Sequence, residues 1–293
     1  MDRWGEVRTA FQVAKLGTIS AAAEALGVHH ATIIRHIDAL EKRLGTRLFQ
    51  RHARGYTPTE AGRDLFTVAM AADEQFAQLA NRIRGQGETV AGELTVTTIS
   101  GIADLMTPVL VSFQALHPKL IVRFVSDMRL FRLDYGEAHV AIRAGAAPNE
   151  PDNVVQPFVN IRWGMYASRR YAAQHGVPQA LQDFAAHRFI GSDNAENRAP
   201  FYRWLREVVP DDRISFRVTE PAANDAAIRA GAGIGFFPAD AAARDADLVE
   251  VMAPRNEWTT TLWLVTHVDL HRTLKVQSFL AHLKAAAQGW GGL

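Results

Sequence analysis

The feature that most limits what this chain can fold into is a change of hydrophobic period near residue 85. Before it, apolar residues recur every three or four positions and glycines punctuate them, which reads as helices with one short interruption at 46–57. After it, short strand-like runs alternate with helical ones, which reads as α/β layers. Two such patterns in 293 residues imply two or three folding units at about 100–200 residues each. The hinge between them falls on Gly85-Gln86-Gly87-Glu88.

Trp4, Val7, Phe11 and Ala14 share one face of a first helix that Gly17 ends. Ser20 is expected to cap a short second helix over 21–26, ended by Gly27. A third is expected from His30 to Leu44, closed by Gly45. Its Ile33, Ile37, Leu40 and Leu44 form a narrow apolar stripe, while Ala31, Arg35 and Lys42 point away, with Thr32 and Asp38 beside them. Two helices joined by a tight glycine turn, the second exposing basic residues, fit a helix-turn-helix. The stretch 46–57 then reads as a two-stranded wing. Leu48 and Phe49 anchor it, and Arg51 and Arg54 flank a turn at Gly55, placed to grip phosphate or enter a minor groove.

Charge points the same way. The net charge of +1 hides an asymmetry: between Val28 and Arg54, six arginines and lysines stand against Asp38 and Glu41, with His29, His30, His36 and His52 among them. Residues 91–293 are close to neutral. A cationic unit on a neutral body suggests an anionic polymer as partner for the first part alone; the alternative on charge alone is a solvated charged face.

A long helix follows, capped by Thr57 or Thr59, with Pro58 and Glu60 suited to its first turn. Leu65, Val68, Ala72, Phe76, Leu79 and Ile83 keep its apolar stripe. From 59 to 84 it would measure about 39 Å at 1.5 Å per residue, too long to be covered by the small N-terminal unit. Pairing with a second copy would cover it and present two recognition helices about one DNA turn apart. The alternative is a helix packed on its own C-terminal domain.

Gly17-Thr18-Ile19-Ser20-Ala21-Ala22-Ala23-Glu24-Ala25-Leu26, the run from Ile37 to Arg51 (IDALEKRLGTRLFQR) and Thr59-Glu60-Ala61-Gly62 together resemble the signature of LysR-type transcriptional regulators over about sixty contiguous residues. The resemblance implies an α+β multidomain chain. A winged helix-turn-helix would occupy 1–58, a linker and dimerisation helix with its hinge 59–87, and a two-lobed α/β effector domain like a periplasmic binding protein 88–293. Lobe one would hold about 91–161 and 267–293, and lobe two about 162–266. One stretch departs from the family: Ser-Gln followed by Pro or Ser is usual where His29, His30 and Ala31 stand, and another Ser where Ile34 stands. The DNA-facing residues expected are thus His29, His30, Ala31, Thr32, Ile34, Arg35, Arg51 and Arg54. His30 can bond a base edge, and Ala31 or Ile34 can touch a thymine methyl. His139 likewise stands where the family usually has aspartate.

The same resemblance implies a small-molecule effector between the lobes, a carboxylate by family habit, touched by Ser100, Gly101, Ser126, Asp127 and Asn224. Each of these has a plainer reading as a helix cap or turn residue. Arg143 can pair with a carboxylate, though a structural ion pair explains it as well. The family also implies a homodimer or homotetramer and, for an activator, contact with RNA polymerase.

Rival functions find less support. The cluster from Gly231 to Gly235 follows a helix and enters a strand, the reverse of a nucleotide-binding turn. His267 and His271 lack a third ligand at zinc-like spacing, no Gly-x-Ser-x-Gly elbow is present, and no cysteine can supply a thiolate site, so no cofactor, metal or catalytic set is expected. No apolar run approaches the roughly 18 residues of a membrane span. The amino terminus carries no apolar signal segment, so a cytoplasmic location is expected. An enzyme fused to a DNA-binding unit would need a convergent acid, base and nucleophile; an exported solute-binding protein would leave the basic N-terminus unexplained.

Overall fold

The computed structural model of the chain describes residues 4–52, 55–83, 89–127 and 131–290. The expected hinge at 85–88 and Arg54 of the wing lie outside these. Helices α1 (Trp4–Leu16), α2 (Ile19–Leu26) and α3 (His30–Leu44) close around Val7, Phe11, Ala22, Ile33, Ile37 and Leu40. Helix α2 begins earlier than a Ser20 cap implies: Thr18 holds the extended backbone of an N-cap, and its Oγ1 accepts the Ala21 N–H. The stripe on α3 is shorter than expected, because Leu44 stays 41 % exposed. Glu41, 5 % exposed, is buried beside Leu40 instead.

That carboxylate ties the wing to α3. Its Oε1 accepts the N–H groups of Leu48 (2.8 Å) and Phe49 (3.1 Å). Its Oε2 accepts Arg47 (2.8 Å) and Arg51 (3.0 Å). The antiparallel strands β1 (Phe49–His52) and β2 (Gly55–Pro58) follow at once, in register from Phe49 opposite Pro58 to His52 opposite Gly55.

Helix α4 (Glu60–Ile83) is capped by Thr59, whose Oγ1 accepts the Gly62 N–H at 3.2 Å. Gly62 lies flat against the wing: a Cβ there would come within 2.0 Å of the Leu48 carbonyl oxygen. Gly62→Ala is therefore expected to destabilise the N-terminal unit by roughly 2 kcal/mol, since backbone rather than a pliable side chain must move. A urea midpoint equal to the parent's would show that no such pressure exists.

The first half of α4 packs on the following unit. Thr67 Oγ1 donates to the Asp134 carbonyl at 2.7 Å, and the Arg63 guanidinium lies 4.4 Å from the Tyr135 ring centre, both on the short turn Leu133–Tyr135. Phe66 stacks on Phe11 with ring centres 5.3 Å apart. The apolar stripe nevertheless remains largely uncovered: Val68, Phe76, Leu79 and Ile83 are 55, 54, 44 and 77 % exposed. So the helix both packs on its own C-terminal domain and keeps a bare apolar edge.

The C-terminal domain has two lobes. In the first, β3 (Gly92–Thr98), β4 (Leu120–Ser126), β5 (Val140–Ala144), β6 (Asn153–Ile161) and β12 (Thr260–His267) form one sheet in the order β4-β3-β5-β12-β6. Strands β3, β4 and β5 are parallel, and β12 runs antiparallel to β5 and β6. Helices α5 (Ala103–Leu116) and α11 (Leu274–Ala287) cover it, with Phe113 against Phe279, ring centres 5.3 Å apart. In the second lobe, β7 (Trp163–Ser168) lies between β10 (Gly235–Pro238) and β11 (Leu248–Met252), and β8 (Ile190–Ser192) pairs with β9 (Phe216–Val218). Helices α6 (Arg169–His175), α7 (Pro200–Val208), α8 (Pro221–Ala230) and α9 (Ala239–Ala242) pack around these strands, and α10 (Val268–His271) lies just after β12.

The chain passes from β6 of lobe one to β7 of lobe two at Arg162. It returns near Thr259 rather than after 266, because β12 is bonded along its length to β5 and β6. Arg143 makes the structural ion pair, to Glu150 at 2.7 Å. His139 is buried: its Nδ1 accepts the Thr95 N–H at 2.9 Å, and its Nε2 lies 3.0 Å from Lys275 Nζ.

Candidate functional site

Two surfaces carry candidate residues. The first is the outer face of α3. His29 holds the extended backbone of its N-cap without a side-chain bond to the helix, which leaves its ring outward. His30, Ala31, Ile34 and Arg35 follow on the exposed face, Thr32 is half-buried beside them, and Lys42 continues the face two turns on. Ala31, Ile34, Arg35, Asp38, Ala39 and Lys42 line a shallow, open groove. The opposite face is sealed into the core through Ile33, Ile37 and Leu40, so α3 cannot roll without opening that core. A rigid helix with basic, small and methyl-bearing groups outward has the shape and chemistry to enter a major groove.

The wing differs from expectation in its arginine. Arg51 is not a free cation reaching for phosphate. Its guanidinium donates to Asp38 (2.6 Å) and Glu41 (3.0 Å) and lies 5.5 Å from the Tyr56 ring centre. Its side chain is 34 % exposed, so it holds the wing on α3 while keeping one edge outward.

The second surface is the cleft between the lobes. Gly101 of lobe one faces Pro221 at the start of α8 in lobe two; a Cβ on Gly101 would touch the Pro221 ring at 3.3 Å. Here lies a cavity of about 80 Å³, whose lining includes Gly101, Trp163, Phe201, Tyr202, Asn224 and Asp225. The structure thus brings together Gly101 and Asn224 of the expected effector contacts. Ser126 and Asp127 stand exposed at the end of β4, where the Asp127 N–H bonds Thr98 O, and are not among the described residues lining this cavity. Ser100 begins the turn that continues through Gly101 to Ile102.

Asn224 lies in the first turns of α8 and is 3 % exposed. Its amide nitrogen donates to Phe236 O (2.9 Å) and Asp225 Oδ1 (3.2 Å), while its Oδ1 has no partner. The Trp163 indole N–H is also buried without a partner. Burial pushes the Asp225 carboxyl above the ordinary carboxylate range; Asn224 and Arg229 oppose the shift, and Asp104 across the cleft adds to it. Burial, then the Asp225 charge, push the Tyr202 phenol up to about 12, so it stays a neutral hydroxyl. Trp163, Tyr202 and Asp225 were not anticipated from the sequence. The one available signal was the position of Trp163, first residue after the crossing between lobes.

A larger cavity, about 530 Å³, lies between α1, α4 and lobe one. Charged groups of both signs line it, and two of them, Arg123 and Glu93, already pair at 3.1 Å. It is the seam where two packed units meet.

A family model described as a bacterial regulatory helix-turn-helix protein of the lysR family matches residues 4–63, and one described as the LysR substrate binding domain matches residues 87–288. The chain is a LysR-type transcriptional regulator. This LysR regulator is 28 % identical to the probable transcriptional regulator LtrA of Klebsiella pneumoniae, over 93 % of this chain and 91 % of that one. It is 29 % identical to a transcriptional repressor of Pseudomonas aeruginosa (strain UCBPP-PA14), over 80 % and 75 % of the two chains. Among solved structures, CrgA of Neisseria meningitidis shares the fold with a TM-score of 0.56 at 21 % identity, covering 99 % of this chain and 100 % of that one. A full-length OxyR point variant of P. aeruginosa does so with a TM-score of 0.69 at 15 % identity, covering 97 % and 94 %. The relatives are named as regulators of transcription, and this LysR regulator likewise joins a helix-turn-helix to an effector-binding domain rather than to a catalytic one. Among the described residues no helix is long and apolar enough to cross a membrane.

Proposed function

We propose that the protein self-associates along α4, reads duplex DNA with α3, and adjusts that reading when a small molecule enters the cleft between its lobes. The observation that carries the DNA half is the two-sidedness of α3: Ile33, Ile37 and Leu40 are buried, and His30, Ala31, Ile34 and Arg35 stand in solvent. His29, Thr32 and Lys42 extend this surface, and Arg51 supports it from the wing. The uncovered edge of α4 supports a homodimer or a pair of dimers, and regulation from within the cytoplasm, with an RNA polymerase contact in the case of activation, follows from that reading. Gly101 and Asn224, with Ser100 beside them, form the effector contacts; Ser126 and Asp127, outside the described lining of the cleft, are left out of that set.

The test is Arg35→Ala. It is expected to weaken operator binding by about 1–3 kcal/mol, as the loss of a side chain that bonds a base edge does, while random duplex is bound nearly as before. Equal loss on both would make Arg35 a phosphate contact. Footprinting upstream of the protein's own gene, repeated with candidate metabolites, would locate the operator.

A further inference from the structure

We propose, on the footing that the inter-lobe cleft is the effector site, that it takes a small organic cation, an amine protonated at neutral pH, with its ammonium group seated against Asp225 and its body against the aromatic wall. This departs from the carboxylate that family habit suggests, and four observations carry it.

The charge that the described residues bring to the cleft is of one sign. Asp225 and Glu220 line the cavity, and Asp104, on the first turn of α5, reaches the same field from the opposite lobe. Among the described residues no lysine, arginine or histidine lines it. The arginine that Asp225 does feel, Arg229 one turn along α8, is bound to the Asp245 carboxylate. An arriving carboxylate would meet like charge, with no cation among the described residues facing it.

The wall is aromatic. Trp163, Phe201 and Tyr202 stand together, with successive ring centres 4.6 and 4.7 Å apart. Ring faces attract cations, and more strongly where water is excluded.

An acceptor waits unused. Asn224 is buried, and both bonds from its amide nitrogen fix which way the group points, so Oδ1 is left as a lone acceptor beside Asp225. An ammonium group brings three donors, enough for Asp225 and Asn224 together. The Trp163 N–H asks for one neutral acceptor on the same ligand, such as a hydroxyl or carbonyl.

An organic cation suits the site better than a metal ion. Among the described residues no three His, Asp or Glu side chains gather as a metal would need, and Trp163, Phe201, Val218, Pro221 and Pro238 give the lining a large apolar share. The cost of the buried Asp225 carboxylate is relieved when the cation arrives, and the repulsion between Asp104 and Asp225 across the cleft turns into a shared attraction that draws the lobes together.

Benzylamine and benzoate share a ring and differ in charge, so calorimetric titration of the full-length protein with each separates the cases. Benzylamine is expected to bind and benzoate not, with Asp225→Asn lowering the amine affinity at least tenfold. Because burial disfavours the Asp225 charge, Asp225→Asn without ligand is expected to melt no lower than the parent, which excludes misfolding as the cause. Gly101→Trp, which fills the cleft, should abolish amine binding. Benzoate binding that Gly101→Trp abolishes would overturn the cation and keep the cleft as effector site. Binding of either probe that Gly101→Trp leaves intact would overturn the cleft reading itself. Binding of neither probe would overturn the cation inference.

Discussion

Glu41→Ala is expected to unfold the winged N-terminal unit under conditions where the parent is folded, at a cost of about 3–5 kcal/mol, the range for breaking a buried charge network by removing one partner. The side chain of Glu41 is 4 % exposed. Truncating it strands the Leu48 and Phe49 N–H groups, each at about 1–3 kcal/mol for a buried donor without a partner, and releases Arg47 and Arg51. Glu41→Gln keeps one acceptor and gives up the charge, so its loss should be smaller. The pH dependence has a definite sign. Burial alone raises the Glu41 pKa, but the Arg47 hydrogen bond, the two backbone N–H groups and the Arg51 charge outweigh it and hold the carboxyl below its ordinary 4.5. A carboxyl lowered by folding contributes stability above its unfolded value, and that contribution fades as pH falls through the folded one. The gap in melting temperature between parent and Glu41→Gln should thus be full at pH 7 and shrink below about pH 4.5. A gap that stays constant to pH 3 would mean that the charge does not hold the wing.

Replacing Leu79 and Ile83 together by glutamate should leave the protein monomeric and lower operator affinity by about two orders of magnitude or more, because the second half-site is then bound independently instead of at the high effective concentration that a tether provides. These two side chains are 44 and 77 % exposed on the bare edge of α4 and touch neither the helix-turn-helix core nor the clamp at Leu133–Tyr135. The folded monomer should therefore survive, as judged by an unchanged melting curve for the C-terminal domain. Gln75→Glu, an exposed polar position on the same helix, serves as the control. Sedimentation of the double variant as the parent species would place self-association elsewhere.

The N-terminal unit was legible almost residue by residue because its signals are local. Helix α3 runs from His30 to Leu44 as the period and Gly45 imply, and the wing appears where the arginine-rich interruption stands. What local signals missed was pairing. A charge tally counts Arg51 as free cation, and only the folded chain sets it against Asp38 and Glu41. Strand β6 went unread because Asn153–Ile161 is mostly half-buried, without alternation, and carries Pro157. Strand β12 was recognised as a strand, yet no property of its own residues says which lobe it joins; its partners β5 and β6 lie about a hundred positions earlier. The cleft shows the same limit. Gly101 and Asn224 sit in recognisable turns and helix starts, whereas Trp163, Tyr202 and Asp225 meet only through the fold.

The clamp between α4 and the turn Leu133–Tyr135 has a mechanical consequence. Through Thr67 and Arg63 the reading head and the first lobe of one chain are riveted into a single bracket. If the second lobe closed on a ligand in the assembly proposed above, its torque would swing this bracket as one piece against a second copy. With 24 residues, α4 is a rod about 36 Å long, and a swing of about 10° sweeps its tip by about 6 Å, nearly two base-pair steps. A sub-ångström adjustment at a small molecule can in this way change which helical phase of the DNA the two heads straddle.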